Sequence, residues 1–125
     1  MFSKKDNKGF TLMEMLIVVA IIAILIAIMI PTFNAQLEKS REAADAANIR
    51  AAYAEVMVNY LDSKSTEPKT VELTQEVDGW DNAELGTTLE KLVGDKGTYT
   101  GTPKAKGSCI VSVDESGTAS IEYSK

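Results

Sequence analysis

From Met15 to Ile30 the chain carries no charged or polar side chain, no Gly and no Pro. With Phe10 to Met13 counted around the single acid Glu14, this run reaches the roughly 20 residues that a helix needs to cross a bilayer. A large share of the apolar residues in a 125-residue chain is therefore spent in one segment. The remainder, from Pro31 onward, must be a small domain with a modest core, marginal by itself and dependent on a long helix as its hydrophobic partner.

Charge sets the direction of the span. Residues 1–9, MFSKKDNKG, hold Lys4, Lys5 and Lys8 against Asp6 alone, and the positive-inside rule puts them in the cytoplasm. A general secretory signal has the same basic start, but no small-residue cleavage site is evident after Ile30, where the chain reads onward as helix. The formal net charge is −5, and without the first nine residues 10 bases face 17 acids. An acidic body repels phosphate, so nucleic acid is not expected as a partner. The chain has no histidine, the commonest general base and transition-metal ligand. Cys109 is the only cysteine, so neither an intramolecular disulfide nor a cysteine metal cluster can form.

Beyond the apolar run, Ala46, Ile49, Tyr53, Val56 and Tyr60 recur at spacings of three and four and mark one apolar helical face. Arg50, Glu55, Asn59 and Asp62 fall opposite. Pro31 should bend or loosen this long helix without ending it, because it cannot donate to the carbonyl of Ala27. Ser63 to Thr70 reads as a loop and Val71 to Val77 as a short extended segment. DNAELGTTLEKLVG predicts a helix capped at Asp81 or Asn82 and stopped at Gly94, with Leu85, Leu89, Leu92 and Val93 inward. Alternation through Cys109, Val111 and Val113, the turn DESG, and alternation through Ala119, Ile121 and Tyr123 predict an antiparallel hairpin, joined by a strand near Thr98 to Thr102. The expected fold class is α+β: a long amino-terminal helix, half transmembrane and half amphipathic, packed on a small antiparallel β-sheet.

Within GFTLMEMLIVVAIIAILIAIMIPTF, residues 9–33, the signals fall into register: Gly9 before Phe10, the Thr11-Leu12 pair, Glu14 at the fifth place after that junction, and Pro31 after the apolar run. With its basic leader the segment resembles a type IV pilin precursor, or its relatives the pseudopilins of type II secretion and competence. The resemblance implies cleavage between Gly9 and Phe10 by a prepilin peptidase and N-methylation of Phe10. It also implies a membrane-held pool, extrusion by an assembly ATPase with a membrane platform protein, and a helical homopolymer at the cell surface for adhesion or twitching motility. The corresponding division is a leader at 1–9, a transmembrane and polymerisation helix at 10–30, its amphipathic half at 31–62, and a small α/β region at 63–125. The missing cysteine pair departs from many pilins of Gram-negative bacteria, whose carboxyl-terminal loop is disulfide-bounded, and the small acidic domain without metal-ligand spacing favours a pilus subunit of a Gram-positive or anaerobic source over a secretion pseudopilin.

The residues carry an argument of their own. An acid inside a spanning helix costs about 2.5 to 3.5 kcal/mol on insertion scales, so Glu14 needs a partner. Cleavage would supply one, the new amine of Phe10, first within the chain and then from a neighbouring copy. The plainer reading of Glu14 is an acid snorkelling into headgroups. That of Gly9 is an ordinary loop glycine, and that of Pro31 a helix kink tolerated in membranes; its functional counterpart is a weak point that lets the helix stretch in a packed filament. Met13, Met15 and Met29 are read as packing residues, and Cys109 as a small core residue. Asp78, Asp81 and Asp95 lack EF-hand spacing and read as solvated charge rather than calcium ligands. Trp80 reads as an anchor of its loop on the long helix. No catalytic residue, metal or cofactor is expected. The reading from another class, a single-span anchor presenting a binding module, leaves Gly9, Phe10 and Glu14 unexplained.

Overall fold

The computed structural model describes residues 11–125, which fall into two units, one ending at Gln36 and one from Leu37 to Lys125. The leader and the Gly9–Phe10 junction lie outside the described residues. Helix α1 runs Leu12–Ser63 and continues through Pro31, as a proline that removes a single backbone bond allows. At the next residue, the Thr32 hydroxyl donates one turn back to the Ile28 carbonyl at 3.3 Å. From Leu12 to Phe33 every side chain is exposed, and this is the one helix among the described residues long and apolar enough to cross a membrane.

The second unit is built on the face of α1 whose spacing marked it as apolar. Ala46, Ile49, Ala52 and Val56 are buried, with Tyr53 and Tyr60 packed against them. Four strands complete it: β1 (Lys69–Glu72), β2 (Thr98–Thr100), β3 (Ser108–Val113) and β4 (Ala119–Ser124), in the order β1-β3-β4-β2. Strict alternation points Cys109, Val111 and Val113 of β3 and Ala119, Ile121 and Tyr123 of β4 into the core. Helix α2 (Ala83–Val93) adds Leu89 and Val93 to the same core. Asn82 caps it, its side chain accepting from Glu84 N, and Gly94 ends it at φ 72°. There a left-handed backbone favours glycine.

Three expectations change in detail. The sheet is mixed: β1–β3 and β3–β4 are antiparallel, but β2 runs parallel to β4 with Tyr99 opposite Ile121. The extended segment expected at Val71 to Val77 begins earlier, at Lys69, because Val71 pairs with Cys109. From Leu73 the chain leaves the sheet as a loop. Trp80 anchors that loop through α2 and the sheet as well as the shared core: it lies over Gly86, meets Tyr123 edge-on at 6.3 Å, and donates its indole N–H to the Tyr99 hydroxyl at 3.2 Å.

Candidate functional site

The described part of the site opens where α1 does. Thr11 N–H donates to Glu14 Oε2 and Glu14 N–H donates to Thr11 Oγ1, both at 3.2 Å. This reciprocal pair is a capping box: it satisfies two amide donors that the first turn of a helix leaves without partners. Glu14 also places its negative charge in that first turn, where the helix dipole favours an anion. One carboxylate oxygen is thus engaged locally, while Oε1 takes no hydrogen bond among the described residues. The T-x-x-E spacing from Thr11 to Glu14 is legible in the sequence, but the motif by itself gave Thr11 no role beyond its place in the register.

Of the residues singled out in sequence, the structure places Glu14 in this box and Pro31 inside α1, 17 residues further on. Gly9 and Phe10 lie outside the described residues. The apolar face around Ile26, Met29, Ile30 and Phe33 lines a shallow hollow of about 360 Å³, with Asn34 at its edge.

A second set of acids on α1, without a role legible in the sequence, works inside the carboxyl-terminal unit. Glu38, Glu42 and Asp45 stand four and three residues apart, on one side of the helix. They hold the loop from Thr74 to Asp81 by its backbone. Asp45, fully buried, accepts from Thr74 N at 2.8 Å, Thr74 Oγ1 at 2.7 Å and Gln75 N at 2.9 Å. Glu38 accepts from Glu76 N at 3.0 Å and Val77 N at 3.1 Å. Glu42 accepts from Asp81 N at 2.6 Å. Burial raises the Glu42 pKa above the ordinary carboxylate value and the nearby charges of Asp81 and Glu38 add to this, while the Asp81 amide opposes it. Gln75 closes the loop on itself, its amide donating to the Val77 and Gly79 carbonyls at 2.8 and 2.7 Å.

The three aspartates considered for calcium do not converge: Asp78 accepts from Ala105 N at 2.7 Å and faces Lys104 at 3.9 Å, Asp81 donates its amide to Glu42, and Asp95 lies past the end of α2. Among the described residues no group of three potential metal ligands forms. Cys109 is fully buried, and burial pushes its thiol pKa up to about 12, so it is an inert core residue.

The site is thus an apolar, exposed helix of membrane-crossing length that opens on a capping box with an acid at its third position. The model of the prokaryotic N-terminal methylation motif matches residues 4–30. Myxococcus xanthus (strain DK1622) has a relative, the type IV major pilin protein PilA, 49% identical over 47 residues. That match covers 38% of this chain and 21% of the relative, so the likeness spans about a fifth of that protein. No solved structure matches. By motif and by relative the amino-terminal part of the chain is similar to type IV pilins. A helix of membrane-crossing length and composition accords with that likeness.

Proposed function

We propose that this chain is a type IV pilus subunit made as a precursor, cut between Gly9 and Phe10 by a prepilin peptidase and N-methylated on Phe10. It waits as a single-span protein with its amino terminus in the cytoplasm. An assembly ATPase and a membrane platform protein then move it into a filament used for adhesion or surface motility.

The observation that carries the reading is the state of Glu14. Its carboxylate sits at the head of an apolar helix with Oε2 held by Thr11 N–H, which fixes the group in place, while Oε1 takes no hydrogen bond among the described residues. A carboxylate held in this way at the edge of an apolar phase favours a cationic partner. The amine freed on Phe10 of a neighbouring copy is such a partner, and pairing would set the axial register of subunits in a dry core. Pro31 supplies one missing backbone bond within the helix, a point where it can extend as subunits pack.

The test is the amino-terminal mass of the chain in sheared surface material and in the membrane fraction. An N-methylated chain starting at Phe10 in sedimenting fibres is the expected result. A chain starting at Met1, or after the apolar run, and absent from fibres would refute processing and assembly together.

A further inference from the structure

Within the carboxyl-terminal unit, α1 has two apolar faces and only one of them is covered. The sheet and α2 cover Ala46, Ile49, Ala52 and Val56. On the opposite side Leu37, Ala47, Ala51, Ala54, Val58 and Leu61 are all exposed, the last two at 61% and 70%. From Ala47 to Leu61 the spacings are four, three, four and three, the heptad pattern of a seam between two helices. A helix apolar on both sides and covered on one has a partner missing.

We propose that this face pairs two copies of the chain side by side, in parallel and in register, while both are still held in the membrane. The inference rests on the pilin reading above, since copies inserted through the same apolar segment stand parallel and at equal depth. Charge complementarity selects the occupant. Arg50 and Glu55 flank the seam on its two sides, five residues apart, which in a parallel in-register pair brings Arg50 of each helix opposite Glu55 of the other. Arg50 makes no ion pair among the described residues. The Glu55 carboxylate meets Lys69 of its own chain at 3.0 Å and its side chain is still 52% exposed. The alanines at the centre of the seam let the two helix axes approach closely.

The experiment uses the full chain in native membranes with a mild thiol oxidant. In a parallel in-register pair the Cα atoms at position 51 come within disulfide reach, so Ala51→Cys should give a covalent dimer. Glu122→Cys, on the exposed outer face of the sheet, should give none. Cys109 is buried and does not compete. Arg50→Glu should abolish the Ala51→Cys dimer, and adding Glu55→Arg should restore it. Loss of the dimer in an otherwise folded, membrane-inserted chain, its persistence in Arg50→Glu, or a cross-link to a protein of different mass would overturn the proposal. The pilin reading is judged separately by the Phe10 amino terminus in sheared fibres: fibres without the dimer sink only the pairing.

Discussion

Asp45 and Thr74 are joined by both the backbone and the side chain of the threonine: the buried carboxylate accepts from Thr74 N at 2.8 Å and from Thr74 Oγ1 at 2.7 Å. Asp45→Ala removes the acceptor for these donors and for Gln75 N, and leaves the buried Gln75 amide unpaired. Hydrogen bonds to a charged group are worth about 1.5 to 3 kcal/mol each, and they are not additive. The expected cost is about 3 kcal/mol or more, read as a lower midpoint in denaturant for the full chain in detergent. Asp45→Asn should fall between, because one acceptor oxygen survives.

Two acids of this unit respond to pH with opposite sign. Burial raises Glu42, so its contribution to stability is fully present below the unfolded carboxylate pKa and is lost as pH rises through the folded value. Glu42→Gln keeps an oxygen for Asp81 N and should match or exceed the parent at pH 7, with the two converging on acidification. Asp114 is lowered, chiefly by the Ser116 hydroxyl and then by the Thr118 amide. Its contribution is present above the unfolded value and is lost as pH falls through the folded one. Asp114→Asn should therefore be less stable than the parent at neutral pH, with the difference shrinking in acid. Thermal unfolding of both variants from about pH 3 to about pH 8 checks the two signs in one series.

Gly86 lies beneath Trp80, where a Cβ would sit 2.7 Å from the indole Cδ1. Alanine there gains about 1 kcal/mol of helix propensity in α2. Displacing an indole that is also hydrogen-bonded to Tyr99 costs about 1 to 3 kcal/mol, so packing should win. Trp80 is the only tryptophan, which makes its fluorescence a direct readout. Gly86→Ala should shift the emission toward that of an exposed indole and lower the unfolding temperature.

Glu14 is exposed and lies outside the core, so its replacement should leave the carboxyl-terminal unit folded. Glu14→Ala removes the capping box, at a cost of about 1 kcal/mol to the start of α1, together with the charge. Glu14→Gln keeps an oxygen for Thr11 N–H and removes the charge alone. If the charge carries assembly, both variants lose sheared fibres while keeping the parent's near-UV circular dichroism. Normal fibres from Glu14→Gln would assign Glu14 to capping only.

The legible parts of this molecule are those whose period is local. The apolar run, the stripe through Ile49 and Val56, the Asn82 and Gly94 ends of α2 and the alternation of β3 and β4 each arise from a few neighbouring residues. The placement of β2 does not. Nothing in Thr98–Thr100 says that its partner is β4 or that the pair is parallel, because that choice is made by the route of the chain around the sheet. The clasp at Glu38, Glu42 and Asp45 was hidden for a related reason: acids spaced along a helix look alike whether they face water or the amides of a loop about 30 to 40 residues away. Position within the candidate site was readable from Glu14 and Pro31. Its cap at Thr11 needed the reciprocal hydrogen bonds to be seen.

Because α1 grips the Thr74–Asp81 loop by its amides, the identity of the outward side chains is largely uncoupled from the loop's shape. Val77 is exposed and takes little part in the core. If the chain reaches the cell surface as proposed, substitutions there should change what that surface presents, while the carboxylates behind them keep the same backbone trace. In the filament proposed above, one codon would alter the outward chemistry at every repeated position without renegotiating how the subunit folds.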